Sequence, residues 1–283
     1  MQESHGEPVN TTVLPPTDNG EHRRGALLDT STLTGAGPSR NPYFHSGWAV
    51  SIHEGTGEAS IRFHSPARNL PSGIRGEGSE HSDREADARA RRNVRRYCVV
   101  NGLDRLVTLT YAPEHLPEDW DGVWADIDSL RRNLRSFLKG RSIPILATIE
   151  RGEKGGRLHV HLAIGQYIPA PDLERCWGKG FIDIRKVRVM GEGKRARCRA
   201  AAHYVSKYVT KADSHKDGRS FNGRRYSTTK GFQYVTRSTL VGSFDDAWHF
   251  LLGEALGPVE WTWWSGDDEE WRGPPVLAVR FGD

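Results

Sequence analysis

Cysteine is scarce in this chain: Cys98, Cys176 and Cys198 are the three among 283 residues. An odd number at wide spacing excludes a disulfide framework, and the absence of any C-x-x-C pair excludes the common structural zinc pattern. Such usage fits a reducing cytoplasm. No apolar run approaches the length needed to cross a bilayer. The stretch from Met1 to Gly20 is polar and acidic and has no apolar core of a signal peptide. The expectation is a soluble, cytoplasmic protein with no membrane partner. No GxxxxGK[ST] motif is present, which excludes a P-loop nucleotide site in this sequence. Apolar residues make up only 36% of the chain and mean hydropathy is −0.64. That balance predicts that part of the length stays unfolded. There is no internal repeat.

Charge is present in quantity but unevenly placed. The net charge is +4 and the isoelectric point near 9.0. Basic residues concentrate in 84–101, 175–199 and 207–237, while acids gather in 114–128 and 266–270. A basic surface facing one way suits a binder of phosphate backbones, though such runs are also common on solvated faces. Residues 1–43, rich in Gly, Pro, Ser, Thr and Asn, read as a disordered tail. Residues 46–52 and 59–64 read as a short hairpin around Glu54-Gly-Thr-Gly57, and 66–82 as a linker. An N-cap at Ser82-Asp83 opens a basic amphipathic helix over 84–100 that stops at Gly102. The pattern then predicts a strand over 105–111, a helix over 120–138, strands over 143–150 and 157–165 joined by a turn at 153–156, a helix near 170–177, a strand near 181–189 and a helix over 194–211. Less regular sequence follows at 226–236, then a helix near 244–255 and the cluster Trp261, Trp263, Trp264 and Trp271. The order predicts an α+β fold, a central antiparallel sheet with helices on one face of split βαβ type. Four segments result: the tail 1–43, a hairpin and linker 44–83, a main domain 84–240 and a small Trp-rich extension 241–283.

Two motifs carry chemistry. His159 and His161 stand two apart in an apolar strand, so both imidazoles project from one face and can reach one metal ion. A lone H-x-H fits equally two hydrogen-bonded histidines at a sheet surface. The preceding strand ends in Glu150, which a hairpin around Gly155-Gly156 sets beside them. Two imidazoles and a carboxylate make a mixed N/O site for Mg²⁺ or Mn²⁺, and zinc also binds such ligands. Tyr204 and Tyr208, four apart in a helix, share one face, with Lys207 close by. Taken alone, such a pair also fits a core-facing aromatic contact. Its helix, however, carries Lys194, Arg195, Arg197, Arg199, Lys207 and Lys211, which predicts a face that meets phosphate. A phenol is a weak nucleophile at neutral pH, and a positioned phosphate with a nearby cation such as Lys207 favours its attack. His203 points elsewhere on the helix and is read as a non-ligand.

Together these motifs resemble the HUH endonuclease superfamily, in its two-tyrosine branch of rolling-circle replication initiators. Leu106-Val-Thr-Leu-Thr-Tyr111 resembles the first family motif, Arg157-Leu-His-Val-His-Leu162 the metal-binding second, and Tyr204-Val-Ser-Lys-Tyr-Val-Thr-Lys211 the catalytic third. The resemblance spans roughly 84–237. It implies that His159, His161 and Glu150 hold a divalent metal, Glu150 being the ligand at which the family varies. It implies that Tyr204 and Tyr208 alternate as nucleophiles. One nicks a DNA strand at the origin, keeps the 5′ phosphate as a phosphotyrosine and leaves a 3′ hydroxyl to prime synthesis; the other acts at termination, when the strand is rejoined. Origin DNA is the expected partner, with a helicase and a polymerase from the host. The basic stretches 84–101 and 219–237 are candidate origin contacts, and Tyr226, Phe232 and Tyr234 are either core or base-stacking residues. A two-tyrosine transposase shares this chemistry, but such enzymes often carry a Cys-rich zinc module. A non-catalytic DNA binder would need neither the histidines nor the tyrosines.

Overall fold

The computed structural model describes residues 46–65, 80–152, 158–189, 193–209, 225–271 and 273–282. In chain order these form strands β1 (Gly47–His53) and β2 (Glu58–His64), helix α1 (Glu80–Val100), β3 (Arg105–Tyr111), α2 (Trp120–Phe137), β4 (Ile145–Arg151), β5 (Leu158–Ile164), α3 (Ala170–Trp177), β6 (Gly180–Lys186), α4 (Lys194–Val209), β7 (Ser227–Thr228), β8 (Thr236–Val241), α5 (Phe244–Gly253), β9 (Val259–Trp264) and β10 (Val276–Phe281). The expected tail 1–43, most of the 66–82 linker, the turn 153–156, Lys211, Arg219 and Arg224 lie outside the described residues. No described helix is long and apolar enough to cross a membrane. The architecture is α+β, as expected, and is built from two antiparallel five-stranded sheets.

The chain divides into two units, one containing Ser79–Gln233 and the other containing Tyr234–Asp283 with the β1–β2 hairpin. In the first, the strand order is β6-β3-β5-β4-β7. Strand β4 is buried at each of Ile145, Leu146, Ala147, Thr148 and Ile149, so both of its faces need cover. Here the structure corrects the expectation of helices on one face. Helices α2 and α3 pack one face over Val107, Leu109, Ala147, Val160 and Leu162. Helices α1 and α4 pack the other over Leu106, Leu146 and Ala163.

Local sequence sets each helix. Helix α2 opens with Asp119, whose carboxylate accepts a hydrogen bond of 2.8 Å from the Gly122 amide. It buries Val123, Ile127, Leu130 and Leu134 at spacings of three and four. Helix α3 ends at Gly178 in the left-handed conformation, φ 64°. Helix α1 starts at Glu80, earlier than the cap expected at Ser82-Asp83, and buries Ala90, Val94, Tyr97 and Cys98. Helix α4 meets α1 and the sheet with small residues, Cys198, Ala201, Ala202, Val205 and Ser206. Small side chains let its backbone come close to the strands.

In the second unit, order β8-β1-β2-β10-β9, the 47–64 hairpin shares a sheet with strands from 236–281. Sequence pattern alone separates these segments into a hairpin and a C-terminal extension; the structure joins them. An isolated two-stranded hairpin is marginal in water, and this one buries Trp48, Val50, Ile52 and Ile61 against Leu277, Val279, Phe281 and α5. Trp264 joins that core, and Trp263 meets the Trp271 ring edge-on at 5.5 Å. Trp261 stays 37% exposed beneath the Arg280 guanidinium, so the tryptophans serve mainly as packing.

Two stability tests follow from the first unit. Leu130→Ala, at a fully buried position, is expected to lower its unfolding free energy by about 2–5 kcal/mol in denaturant titration. Tyr97 is buried, and burial raises its pKa from 10.0 to about 12. The unfolded chain therefore loses this proton before the folded one does. The Tyr97 contribution to stability is complete below pH 10 and is lost as pH climbs toward 12, at up to about 1.4 kcal/mol per pH unit. Tyr97→Phe is expected to flatten that fall; an unchanged slope would contradict it.

Candidate active site

The site is built on the face of the first sheet that α4 covers. Alternation along β5 sends Leu158, Val160, Leu162 and Ile164 into the core beneath α2 and α3, and so turns His159 and His161 to the opposite face. Register brings four more side chains to them. Glu150 and Thr110 flank His159, and Thr148 and Thr108 flank His161.

Both imidazoles are braced through Nδ1. The Thr110 hydroxyl lies 3.1 Å from Nδ1 of His159, and the Thr108 hydroxyl 3.3 Å from Nδ1 of His161. On its other side, Nε2 of His161 lies 2.8 Å from Oε2 of Glu150. The carboxylate can only accept, so Nε2 carries the proton in this contact. The neutral ring then accepts from Thr108 at Nδ1. A hydroxyl both donates and accepts, so it supports either tautomer of the ring. The sequence pattern does not single out Thr108 and Thr110. The signal that could find them is their own two-residue spacing in the strand next to the histidines.

Helix α4 lays both tyrosines over this face. The Tyr208 ring stacks on His161 with centroids 3.9 Å apart and planes within 10°. Tyr204 meets His161 edge-on at 6.1 Å and Tyr208 at 5.6 Å. Both rings are half-buried. The Tyr208 phenol is held well above its ordinary pKa by burial first, then by a side-chain hydrogen bond with Tyr204 and the charges of Tyr204 and Glu150. Lys207 is exposed, and its Nζ stands 5.8 Å over the Tyr204 ring. His203 faces solvent, away from the sheet. Partial desolvation, then the charges of Lys207 and Arg91, lower its pKa. Tyr226 and Phe232 pack against the α1–α4 core, and Tyr234 meets the ring of His53 edge-on in the second unit.

The donor set suits a divalent cation: imidazoles braced at Nδ1 present Nε2, and a carboxylate stands alongside. Among the described residues, no group of three His, Cys, Asp or Glu side chains converges on one point. Glu150 contacts His161 directly, and the His159 ring centre is 6.5 Å from that of His161. The structure thus joins His161, Glu150, Tyr204 and Tyr208 in contact and sets His159 beside them.

Comparison with known proteins bears on the same segment. Residues 104–213 match a family of replication-associated proteins, the ORF2 type. The match covers less than half of the chain, runs from the start of β3 through α4, and supports a role in replication initiation. Neither the search of curated proteins nor that of solved structures gave a match.

The buried His161–Glu150 contact can be tested without any reaction. Glu150→Ala leaves Nε2 of His161 buried without this acceptor and is expected to cost about 1–3 kcal/mol of stability. Glu150→Gln keeps an acceptor and is expected to cost less. Equal losses in denaturant titration would show that the contact contributes nothing.

Proposed function

We propose that this chain is a replication initiator of the HUH type, which nicks one strand at an origin by tyrosine attack and rejoins it at termination. The observation that carries the reading is the stacking of Tyr208 on His161, with Tyr204 edge-on to both. Two phenols one helical turn apart thereby share one imidazole and one carboxylate. Core packing alone would not require polar partners on all sides of His161.

In this reading His159, His161 and Glu150 hold Mg²⁺ or Mn²⁺, which supplies Lewis-acid polarisation of the scissile phosphate. The Thr108 and Thr110 hydroxyls keep the two rings in place. A tyrosine oxygen attacks phosphorus, forming the phosphotyrosine bond as the bond to the 3′ oxygen breaks. The phenol gives up its proton and the departing 3′ oxygen gains one, leaving a 3′ hydroxyl as primer. The raised pKa of Tyr208 means that its proton must leave as the new bond forms. Lys207, beside the Tyr204 ring, offers positive charge near the developing phenolate. The second tyrosine repeats the step on the regenerated origin, and attack by the free 3′ hydroxyl on the phosphotyrosine restores a phenol and closes the strand. Origin DNA, a host helicase and a host polymerase are the partners. Exposed Arg89 and Arg91 of α1 would meet the phosphate backbone, with binding that weakens as salt rises.

The test is incubation of the full chain with labelled single-stranded origin DNA and Mn²⁺ or Mg²⁺, followed by denaturing protein electrophoresis. A protein-linked band is expected that EDTA abolishes. Each single Tyr→Phe variant should retain part of it, and Tyr204→Phe/Tyr208→Phe none. His159→Ala or His161→Ala should remove the band while leaving duplex binding largely intact. A full-strength adduct in the double tyrosine variant would overturn the reading.

A further inference from the structure

The face that carries the histidines continues past β3 onto the edge strand β6. Phe181 pairs with Thr110, Asp183 with Thr108 and Arg185 with Leu106. Directly paired residues of antiparallel strands share a face. Phe181, Thr110, His159 and Glu150 therefore form one cross-strand row, and Asp183, Thr108, His161 and Thr148 the next. The alternate residues Ile182 and Ile184 pack into the opposite core. Phe181, by contrast, is 67% exposed. It is a large apolar ring in water, in line with a candidate metal ligand and its threonine brace.

Beside it, Thr108, Asp183, Arg185 and Tyr204 line a depression of about 60 Å³. A cavity of about 150 Å³ is what encloses one benzene ring, so this depression is too small to swallow a nucleobase. It offers a rim and an open ring instead. Asp183 and Arg185 form an ion pair of 2.7 Å there, both half exposed.

We propose that Phe181 is a stacking platform for an unpaired base next to the scissile phosphate, with Arg185 on the adjoining backbone. The proposal rests on the nicking reading for its placement beside the reacting phosphate. The occupant follows from chemistry. An unpaired base offers a free π face, and stacking on an aromatic accepts any base. A base within a duplex has both faces covered by its neighbours. The platform therefore selects single-stranded DNA at the nick without reading its sequence.

Binding tests this separately from cleavage. In the Tyr204→Phe/Tyr208→Phe full chain, fluorescence anisotropy with a labelled single-stranded oligonucleotide reports affinity with no covalent step. Stacking is worth about 1–3 kcal/mol per base, so Phe181→Ala is expected to bind about tenfold more weakly and Phe181→Trp within about twofold of its parent. The dependence on salt should keep its slope, because a phenyl ring displaces no counterions. Arg185→Ala should instead reduce that slope. Duplex binding and the thermal midpoint should not move in Phe181→Ala. Parental single-strand affinity in Phe181→Ala would overturn the proposal, as would a loss in Phe181→Trp equal to that in Phe181→Ala. Changed self-association with unchanged DNA binding would overturn it in favour of contact with a second copy. If the wild-type chain forms no adduct but these binding results hold, the nicking reading fails and the platform stands.

Discussion

The two-residue period of β5 is the constraint on which the rest of this unit depends. Four apolar side chains of that strand lie beneath α2 and α3, and their burial fixes the strand in register with β3 and β4. A slip of one position would turn His159 and His161 into that apolar core and carry Leu158, Val160, Leu162 and Ile164 to the other face. The hydrophobic effect, acting on residues with no chemical role, therefore aims the imidazoles. The same register selects their neighbours. Thr108 and Thr110 reach Nδ1, and Glu150 reaches Nε2, because three strands share one pleat.

The second requirement is the close approach of α4. Its contact residues are small, and Asp104 reinforces its seat by lying 2.9 Å from Arg105 and 3.6 Å from Arg197. A helix held farther away could not stack Tyr208 on His161 at 3.9 Å. That closeness has an electrostatic consequence: the phenol loses water and sits near a carboxylate, both of which favour its protonated form. In the proposed reaction, the arrangement stores a nucleophile in a form that does not react until a phosphate arrives.

Much of this is legible in the sequence where periodicity is strong and contacts are local. The elements around 105–111, 120–138 and 170–177 follow directly from apolar spacing, and Tyr204 and Tyr208 share a face because four residues make about one turn. The pairing of Glu150 with His159 is also accessible, since a short hairpin fixes register. Helices on both faces run against the one-face expectation, although Ile-Leu-Ala-Thr-Ile in β4 foreshadows them, being an unbroken run without the polar alternation of a half-exposed strand. The threonine braces are hidden for a different reason. Threonine is common in strands, and only the cross-strand partner distinguishes a brace from a filler.

The second sheet marks the limit of local reading, and it also constrains how the chain folds. Ser51 and Ser238 are hydrogen-bonded at 3.0 Å across a separation of 187 residues. Nothing in either strand names the other, because each is short and mixed in polarity. Strand β8 has β1 as its sole neighbour in the sheet order. Closing so long a loop from a fully unfolded chain carries a substantial entropic cost, which grows only slowly with length. Prior folding of the intervening unit removes most of that freedom before β8 and β10 seek the hairpin. The hairpin can form early, since a short turn joins its strands and Gly55 and Gly57 adopt φ of 71° and 67°. It cannot persist alone, because its apolar face is buried by strands that emerge last. Stability of the second unit is thus tied to residues at both ends of the described chain, whereas the histidines, the carboxylate and the tyrosines lie on one continuous stretch between them.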